Sequence, residues 1–193
     1  MRRLLINPVK TLRGFNQTLT GFTLIELLVT IAVIGIVSSV VLMGKSQEDE
    51  RLALKLSAFT LSQNIREIQE KALAGEDVAC PNPSNKPCGF GMHFETNKDV
   101  YTPFIDCSND CGTSNRKLTG ADKVLPDVSL GKKVKICSLP VNAWDLAFSP
   151  PDPAVYLDSV KWGTEAVITL CLKSNPSQTK NIRLNNAGKI EIE

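Results

Sequence analysis

Glu26 is the residue that most directly suggests chemistry, because it is the only charged residue in an apolar stretch that spans 22–43. A charge near the centre of a membrane helix costs roughly 2.5–3.5 kcal/mol. Eleven Leu, Ile and Val residues among 27–43 favour insertion by roughly 3–7 kcal/mol in total, at about 0.3–0.6 kcal/mol each. The stretch is therefore expected to insert into a membrane with a carboxylate near one end. Such a carboxylate favours pairing with a cation.

The residues before this stretch predict the orientation of the insertion. Residues 1–21 contain no acidic residue and four basic ones, Arg2, Arg3, Lys10 and Arg13. Positive charge stays cytoplasmic, so the N-terminus is expected inside and everything after Met43 outside. A cleaved secretory signal peptide fits poorly, because the apolar core is too long and no small-x-small site closes it. An uncleaved signal anchor is an alternative that leaves Gly21 and Glu26 unexplained.

A short run at the start of the apolar stretch identifies a family. It reads Gly21-Phe22-Thr23-Leu24-Ile25-Glu26-Leu27-Leu28-Val29 and resembles the prepilin cleavage and methylation signature of type IV pilins and type II secretion pseudopilins. The resemblance implies that a membrane aspartyl peptidase cuts after Gly21 and methylates Phe22. It also implies that Glu26 meets the N-terminal ammonium of a neighbouring subunit during filament assembly. The leader of 21 residues is longer than the short leaders of many type IVa pilins.

Cleavage after Gly21 would change the sign of the net charge. The whole chain has 22 basic and 20 acidic side chains, for a net charge of +2. The leader contains four of the basic residues and none of the acidic ones, which leaves 18 against 20, a net charge of −2. A net-negative mature chain argues against nucleic acid as a partner.

The helical pattern continues beyond the apolar stretch, across 44–75. Apolar residues recur at steps of 4, 3, 4, 3 and 4, the spacing of one helix face: Leu54, Ala58, Leu61, Ile65, Ile68 and Ala72. Gly75 is a suitable residue to end the helix. A single helix over 22–74 would be about 80 Å long. Because about three heptads is short for a coiled coil, this face is expected to pack on the chain's own sheet.

Residues 76–193 are expected to form a β-rich globular ectodomain. The pattern predicts strands at 90–94, 100–105, 134–137, 147–149, 166–173, 180–184 and 189–192. The strand at 166–173 is apolar on both faces and should be central in its sheet. Asn185-Asn186-Ala187-Gly188 has the composition of a hairpin turn. The fold class is therefore α+β, and the resemblance implies the pilin fold, a long N-terminal helix packed on a small antiparallel sheet.

Six cysteines on the predicted outer side indicate an oxidising compartment and up to three disulfides. Their spacing favours two local pairs and one pair across two strands: Cys80 with Cys88, Cys107 with Cys111, and Cys137 with Cys171. Six cysteines allow about 15 pairings, so the others stay open. A zinc site is disfavoured, because the chain has no C-x-x-C pair and only one histidine.

The C-terminal half is similar to the general secretion pathway H and fimbrial T group of minor pseudopilins. The similarity lies in four features, the segment 144–150, the strand 167–172, a basic strand, and the run 187–190. Some competence members of that group use arginines in the C-terminal hairpin to bind DNA. Here Glu191 and Glu193 occupy positions where the DNA binders place positive charge. This chain therefore departs from the DNA-binding pattern.

The remaining polar residues favour structural roles. Asp106, Asn109 and Asp110 could offer oxygen ligands to calcium, but they lack the regular alternation of a calcium loop and fit solvated turns better. His93, between Met92 and Phe94, fits a strand residue better than a catalytic base. The sequence shows no Ser-His-Asp order, phosphate-binding glycine loop or paired metal ligands. We therefore predict no catalytic residue, no metal and no cofactor, and a protein that is not an enzyme.

The sequence thus predicts a minor pilin or pseudopilin, a structural subunit of a type IV pilus or a type II secretion-like filament. The expected partners are the prepilin peptidase and methyltransferase, other pilin subunits, and membrane lipid before assembly. The chain would be a single-pass inner-membrane protein whose ectodomain is outside and which joins an extracytoplasmic filament. Two alternatives stay open, a DNA-binding competence pilin and an uncleaved signal-anchored ectodomain with a binding role.

Overall fold

The computed structural model describes residues 21–140, 143–150, 154–158, 160–161, 165–185 and 187–193, and for 41–46, 154 and 161 it describes the backbone alone. Of the predicted leader, only Gly21 is among these residues. The chain divides into two compact units, 1–44 and 45–193.

One long helix, α1, runs from Leu24 to Ala74 and has 51 residues. It ends as the sequence predicts, because Gly75 adopts a left-handed conformation with a φ of 62°. The amide of Gly75 donates to the carbonyl of Ala72 at 3.1 Å, and the amide of Glu76 donates to the carbonyl of Lys71 at 3.3 Å. These two bonds form a Schellman motif, which satisfies carbonyls that the helix end would otherwise leave unpaired.

The described residues of the second unit contain eleven strands. They are β1 (Lys86–Glu95), β2 (Val100–Ser108), β3 (Lys123–Val124), β4 (Val128–Ser129), β5 (Val134–Ser138), β6 (Ala143–Ser149), β7 (Ala154–Leu157), β8 (Val160–Lys161), β9 (Ala166–Leu172), β10 (Thr179–Leu184) and β11 (Ile190–Ile192). Every strand predicted from the sequence is present. The four that were not predicted, β3, β4, β7 and β8, have two to four residues, too few to show an alternating pattern.

The strands form two antiparallel sheets where the sequence predicted one. The larger sheet has the order β3-β2-β1-β6-β7-β8, with β4 also pairing with β2, and the smaller has the order β11-β10-β9-β5. Strand β9 pairs with β10 on one side and β5 on the other, so the prediction of a central strand there is confirmed. The predicted hairpin joins β10 to β11, although Asn186 of its turn lies outside the described residues.

Backbone hydrogen bonds connect the two sheets. The amide of Asn97, in the turn between β1 and β2, donates to the carbonyl of Ile136 on β5 at 2.7 Å. The amide of Ile136 donates in return to the carbonyl of Lys98 at 2.8 Å. The edge of β5 that faces away from β9 is therefore paired with the turn of the larger sheet, which leaves less of this edge open to another chain.

The predicted apolar face of α1 forms the centre of the core. All six of its residues, from Leu54 to Ala72, are at most 5% exposed. They belong to one cluster of buried side chains that includes residues of both sheets, among them Phe94 and Ile168. This confirms that the face packs on the chain's own sheets. Two polar contacts add to it, from Ser57 Oγ to the carbonyl of Leu130 and from Asn64 Nδ2 to Tyr101 Oη, each at 2.5 Å.

All six cysteines are paired, but two of the three predicted pairings are wrong. The disulfides and their Cα–Cα distances are Cys80–Cys107 (6.0 Å), Cys88–Cys111 (5.0 Å) and Cys137–Cys171 (5.7 Å). The third is the predicted one. The first two differ because β1 pairs with β2 in a register that places Pro87 opposite Cys107. This pairing brings 80–88 beside 107–111, so the bonds cross between the two segments and do not close local loops.

We expect Leu61→Ala to lower the free energy of unfolding of the ectodomain by about 2–5 kcal/mol, because it leaves a cavity at a fully buried position. The measurement is urea denaturation of the full chain in a nonionic detergent, under non-reducing conditions. Leu56→Ala is a matched control, since Leu56 lies on the same helix but is 61% exposed. We expect its effect to stay within about 0.5 kcal/mol. Equal losses from the two variants would contradict the assigned helix face.

The disulfide pairing predicts a specific tryptic product. Because Lys86 precedes a proline, trypsin should release residues 72–98 and 99–116 as intact peptides, each with two cysteines. In this structure two disulfides join these peptides, so non-reduced digests should show one cross-linked species in mass spectrometry. Reduction should separate it into two. Two separate peptides before reduction would instead indicate the local pairs.

Candidate functional site

The residues of the predicted cleavage site precede the helix and are open to solvent. Gly21, Phe22 and Thr23 have no helical or strand structure, and all three are exposed. Phe22 is 77% exposed although it is a large apolar residue. An exposed, non-helical segment is what a protease needs in order to bind a peptide bond in its active site. The predicted bond between Gly21 and Phe22 therefore lies in an accessible segment.

Thr23 determines where α1 begins, a role that was not predicted from the sequence. The amide of Glu26 donates to Thr23 Oγ1 at 3.3 Å, and the amide of Leu27 donates to the carbonyl of Thr23 at 3.1 Å. Thr23 is thus the N-cap residue, which satisfies a helix amide that has no partner within the helix. The signal was available, because Thr followed three residues later by Glu is the pattern of a capping box.

Glu26 lies in the first turn of α1, three residues after the N-cap, and is exposed. A carboxylate in this turn interacts favourably with the positive end of the helix dipole, by about 0.3–1 kcal/mol. Among the described residues, no basic side chain lies within 4.0 Å of the Glu26 carboxylate. The structure therefore brings Gly21, Phe22 and Glu26 together at one end of the helix, where the Glu26 side chain is exposed.

The apolar stretch after Glu26 has no packing partner within the described residues. Nine of its Leu, Ile and Val side chains are 51–67% exposed: Leu27, Leu28, Val29, Ile31, Val33, Ile34, Ile36, Val37 and Val40. Continuous exposed apolar surface of this kind indicates an interaction site. Within the part of the chain that the structure describes, no helix combines the length and hydropathy needed to cross a membrane. The side chains of 41–43, the last residues of the predicted span, lie outside that part.

Two of the three residues considered as calcium ligands, Asp106 and Asp110, form hydrogen bonds within the fold. Asp106 is buried and accepts a hydrogen bond from the Ser114 hydroxyl, and burial raises the pKa of its carboxyl group. Asp110 Oδ1 accepts from the amide of Gly112 at 3.0 Å, as in an Asx-turn. Asp122 beside them accepts from the amides of Cys107 and Thr119 at 2.8 and 2.6 Å. Among the described residues, no group of three potential ligands could hold a metal ion.

His93 lies on β1 and is held between carboxylates. Its Nδ1 is 2.7 Å from Asp145 Oδ1 on the neighbouring strand β6, and its Nε2 is 3.5 Å from Glu95 Oε1. Burial raises the pKa of the Asp145 carboxyl, while the contact with His93 lowers it. A base for catalysis would need one ring nitrogen directed at a nucleophile or substrate. Here both nitrogens face acidic side chains, which fits the predicted role as a strand residue.

Two basic residues of the C-terminal hairpin, Arg183 and Lys189, are already paired with carboxylates. Arg183 Nη1 is 2.9 Å from Glu165 Oε2, and its Nε is 2.8 Å from Glu193 Oε2. These two carboxylates raise the pKa of Arg183. Lys189 forms an ion pair with Glu191. A phosphate backbone would have to compete with these carboxylates for the same cations.

Comparisons with known proteins agree with the geometry of the N-terminal segment. Residues 20–42 match the family model of the prokaryotic N-terminal methylation motif. No curated protein and no solved structure matched the chain. The matched range includes the accessible Gly21-Phe22 bond, the cap at Thr23, the carboxylate of Glu26 and most of the exposed apolar stretch. The chain therefore carries, at its N-terminus, the signature of the type IV pilins and pseudopilins.

Proposed function

We propose that this protein is a minor pilin or pseudopilin, a structural subunit that is inserted in the inner membrane and then joins an extracytoplasmic filament. The observation that carries the proposal is the methylation motif at 20–42, placed on an exposed helix start and followed by exposed apolar residues. The second unit, 45–193, has its own core and three disulfides, as an ectodomain outside the cytoplasm would need.

In this proposal the prepilin peptidase cuts after Gly21 and methylates the new N-terminal residue, Phe22. The accessibility of both residues supports the step. Cleavage creates an ammonium group one residue before the N-cap. The same cleavage removes the basic residues of the leader. The new ammonium group is therefore the positive charge that remains at this end of the chain.

Glu26 would then pair with the N-terminal ammonium of a neighbouring subunit. An unpaired carboxylate and an unpaired ammonium each carry a large cost in an apolar environment, and pairing offsets part of both costs. The absence of a basic partner for Glu26 among the described residues supports a partner from another chain. Other pilin subunits are therefore the proposed partners, and the apolar residues after Glu26 would form their contact in the filament.

The resemblance to the general secretion pathway H and fimbrial T group stays a prediction. We propose a structural role and no enzymatic activity, because the proposal requires the chain only to be processed and to assemble. DNA capture is not part of the proposal, since two basic residues of the C-terminal hairpin, Arg183 and Lys189, are engaged by carboxylates.

We expect the chain purified from membranes of a cell with a prepilin peptidase to begin at Phe22 and to carry one methyl group there. Intact-mass and N-terminal peptide mass spectrometry measure both features. Gly21→Val is the matched control, because a Cβ at Gly21 meets no atom of the described residues within 4 Å. This variant should keep its leader. A wild-type chain that retains Met1, or that starts anywhere but Phe22, would contradict the proposal and favour the uncleaved signal anchor.

We expect Glu26→Gln to be processed normally but to be lost from filaments. Glutamine suits the third position of the helix as glutamate does, so the substitution removes the charge and keeps the helix start. The measurement is co-purification of the subunit with sheared filaments, relative to its amount in the membrane. Glu48→Gln, an exposed acidic residue of the same helix, is the control and should assemble like the wild type. Normal assembly of Glu26→Gln would show that the pairing is not needed.

A further inference from the structure

We propose that a cleft between α1 and the turn from β9 to β10 binds a phosphate group. This basic cleft has a volume of about 510 Å³. Its cations are Arg51 and Lys55 on the helix and Lys180 on β10, and its hydroxyls are those of Ser177 and Thr179. The buried Leu54 also lines it. No carboxylate is among the residues that line this cleft.

The positive charge in the basic cleft is poorly compensated. Neither Lys55 nor Lys180 has a carboxylate within 4.0 Å in the part of the chain that the structure describes. Arg51 has one such contact, 3.5 Å to Glu48, and both side chains are more than half exposed. An exposed pair of this kind is weak, so it can yield to a stronger anion. Three basic residues therefore line one cavity, and few carboxylates balance their charge.

The two walls of the basic cleft are held in position without using its donors. Ser174 Oγ donates to Glu50 Oε2 at 2.8 Å, which ties the turn to the helix. Within the turn, Asn175 accepts from the amide of Ser177 at 3.2 Å and from the amide of Gln178 at 3.0 Å. These bonds use Ser174, Glu50 and Asn175 and involve neither Lys55 nor Lys180, so the two walls are positioned without these lysines.

The residues that could donate to a phosphate lie on two walls of the basic cleft. Arg51 and Lys55 belong to the helix, and Ser177, Thr179 and Lys180 belong to the turn and β10. A phosphate presents oxygens in several directions and can accept from both walls, and guanidinium and ammonium groups both bind it. Two sources share this chemistry, a phospholipid headgroup and a free phosphate. Arg51 follows the predicted membrane stretch by only eight residues, which makes a headgroup one of the two sources to be tested.

The test is a titration of the full chain in a nonionic detergent, followed by amide NMR signals of residues 177–180. One arm uses inorganic phosphate and the other uses short-chain phosphatidylglycerol. We expect the double variant Lys55→Gln, Lys180→Gln to weaken binding by about tenfold or more, since it removes two charged donors. The control is Lys86→Gln, Lys132→Gln, which makes the same change in net charge at exposed positions outside the basic cleft. Its affinity should stay within about twofold of the wild type.

Each outcome decides the proposal. Binding that is lost in the cleft variant and kept in the control supports it, and the tighter of the two probes identifies the source of the phosphate. Binding should also weaken with added salt, because the cations are exposed. No shift of 177–180 with either probe, or equal losses in the two double variants, would overturn the proposal. The result is independent of processing at Gly21, which the N-terminal mass reports separately.

Discussion

The ectodomain depends on the burial of one face of α1 against both sheets. Leu54, Leu61, Ile65 and Ile68 each fill space between the helix and the strands, and burying such a side chain contributes roughly 1.5–3 kcal/mol. Ala58 on the same face is fully buried as well. Because this face is fixed, the rotation of the helix is fixed too. The orientation of every other residue on 50–74 follows, including the two helix cations of the basic cleft.

The parts of the fold that could be predicted from the sequence are those that depend on local signals. The 3.6-residue period identified the buried face, and Gly75 identified the helix end, because both signals lie within the helix itself. The disulfide pairs Cys80–Cys107 and Cys88–Cys111 could not be predicted, because they depend on the register between β1 and β2. Spacing along the chain favours local loops, whereas strand pairing determines which cysteines meet.

The N-terminal candidate site could be predicted from local signals in the sequence, whereas the basic cleft could not. The signal for the N-terminal candidate site is a contiguous run of residues, since Gly21, Phe22 and Glu26 lie within six residues of the sequence. The capping role of Thr23 was predictable as well, from the threonine and glutamate three residues apart. The basic cleft had no such signal, because Arg51 and Lys180 are far apart in sequence and meet only once the apolar face of α1 has packed.

The hydrogen bonds that cap α1 do not by themselves require a carboxylate at position 26. Its interaction with the helix dipole provides about 0.3–1 kcal/mol, and the N-cap bond itself is made by Thr23. A glutamine would serve the same helix start without a charge. The cost of a buried charge in a membrane, roughly 2.5–3.5 kcal/mol near its centre, exceeds the dipole term. Capping therefore explains where the helix begins but not the negative charge, and the proposed pairing with the ammonium group of another subunit would account for that charge.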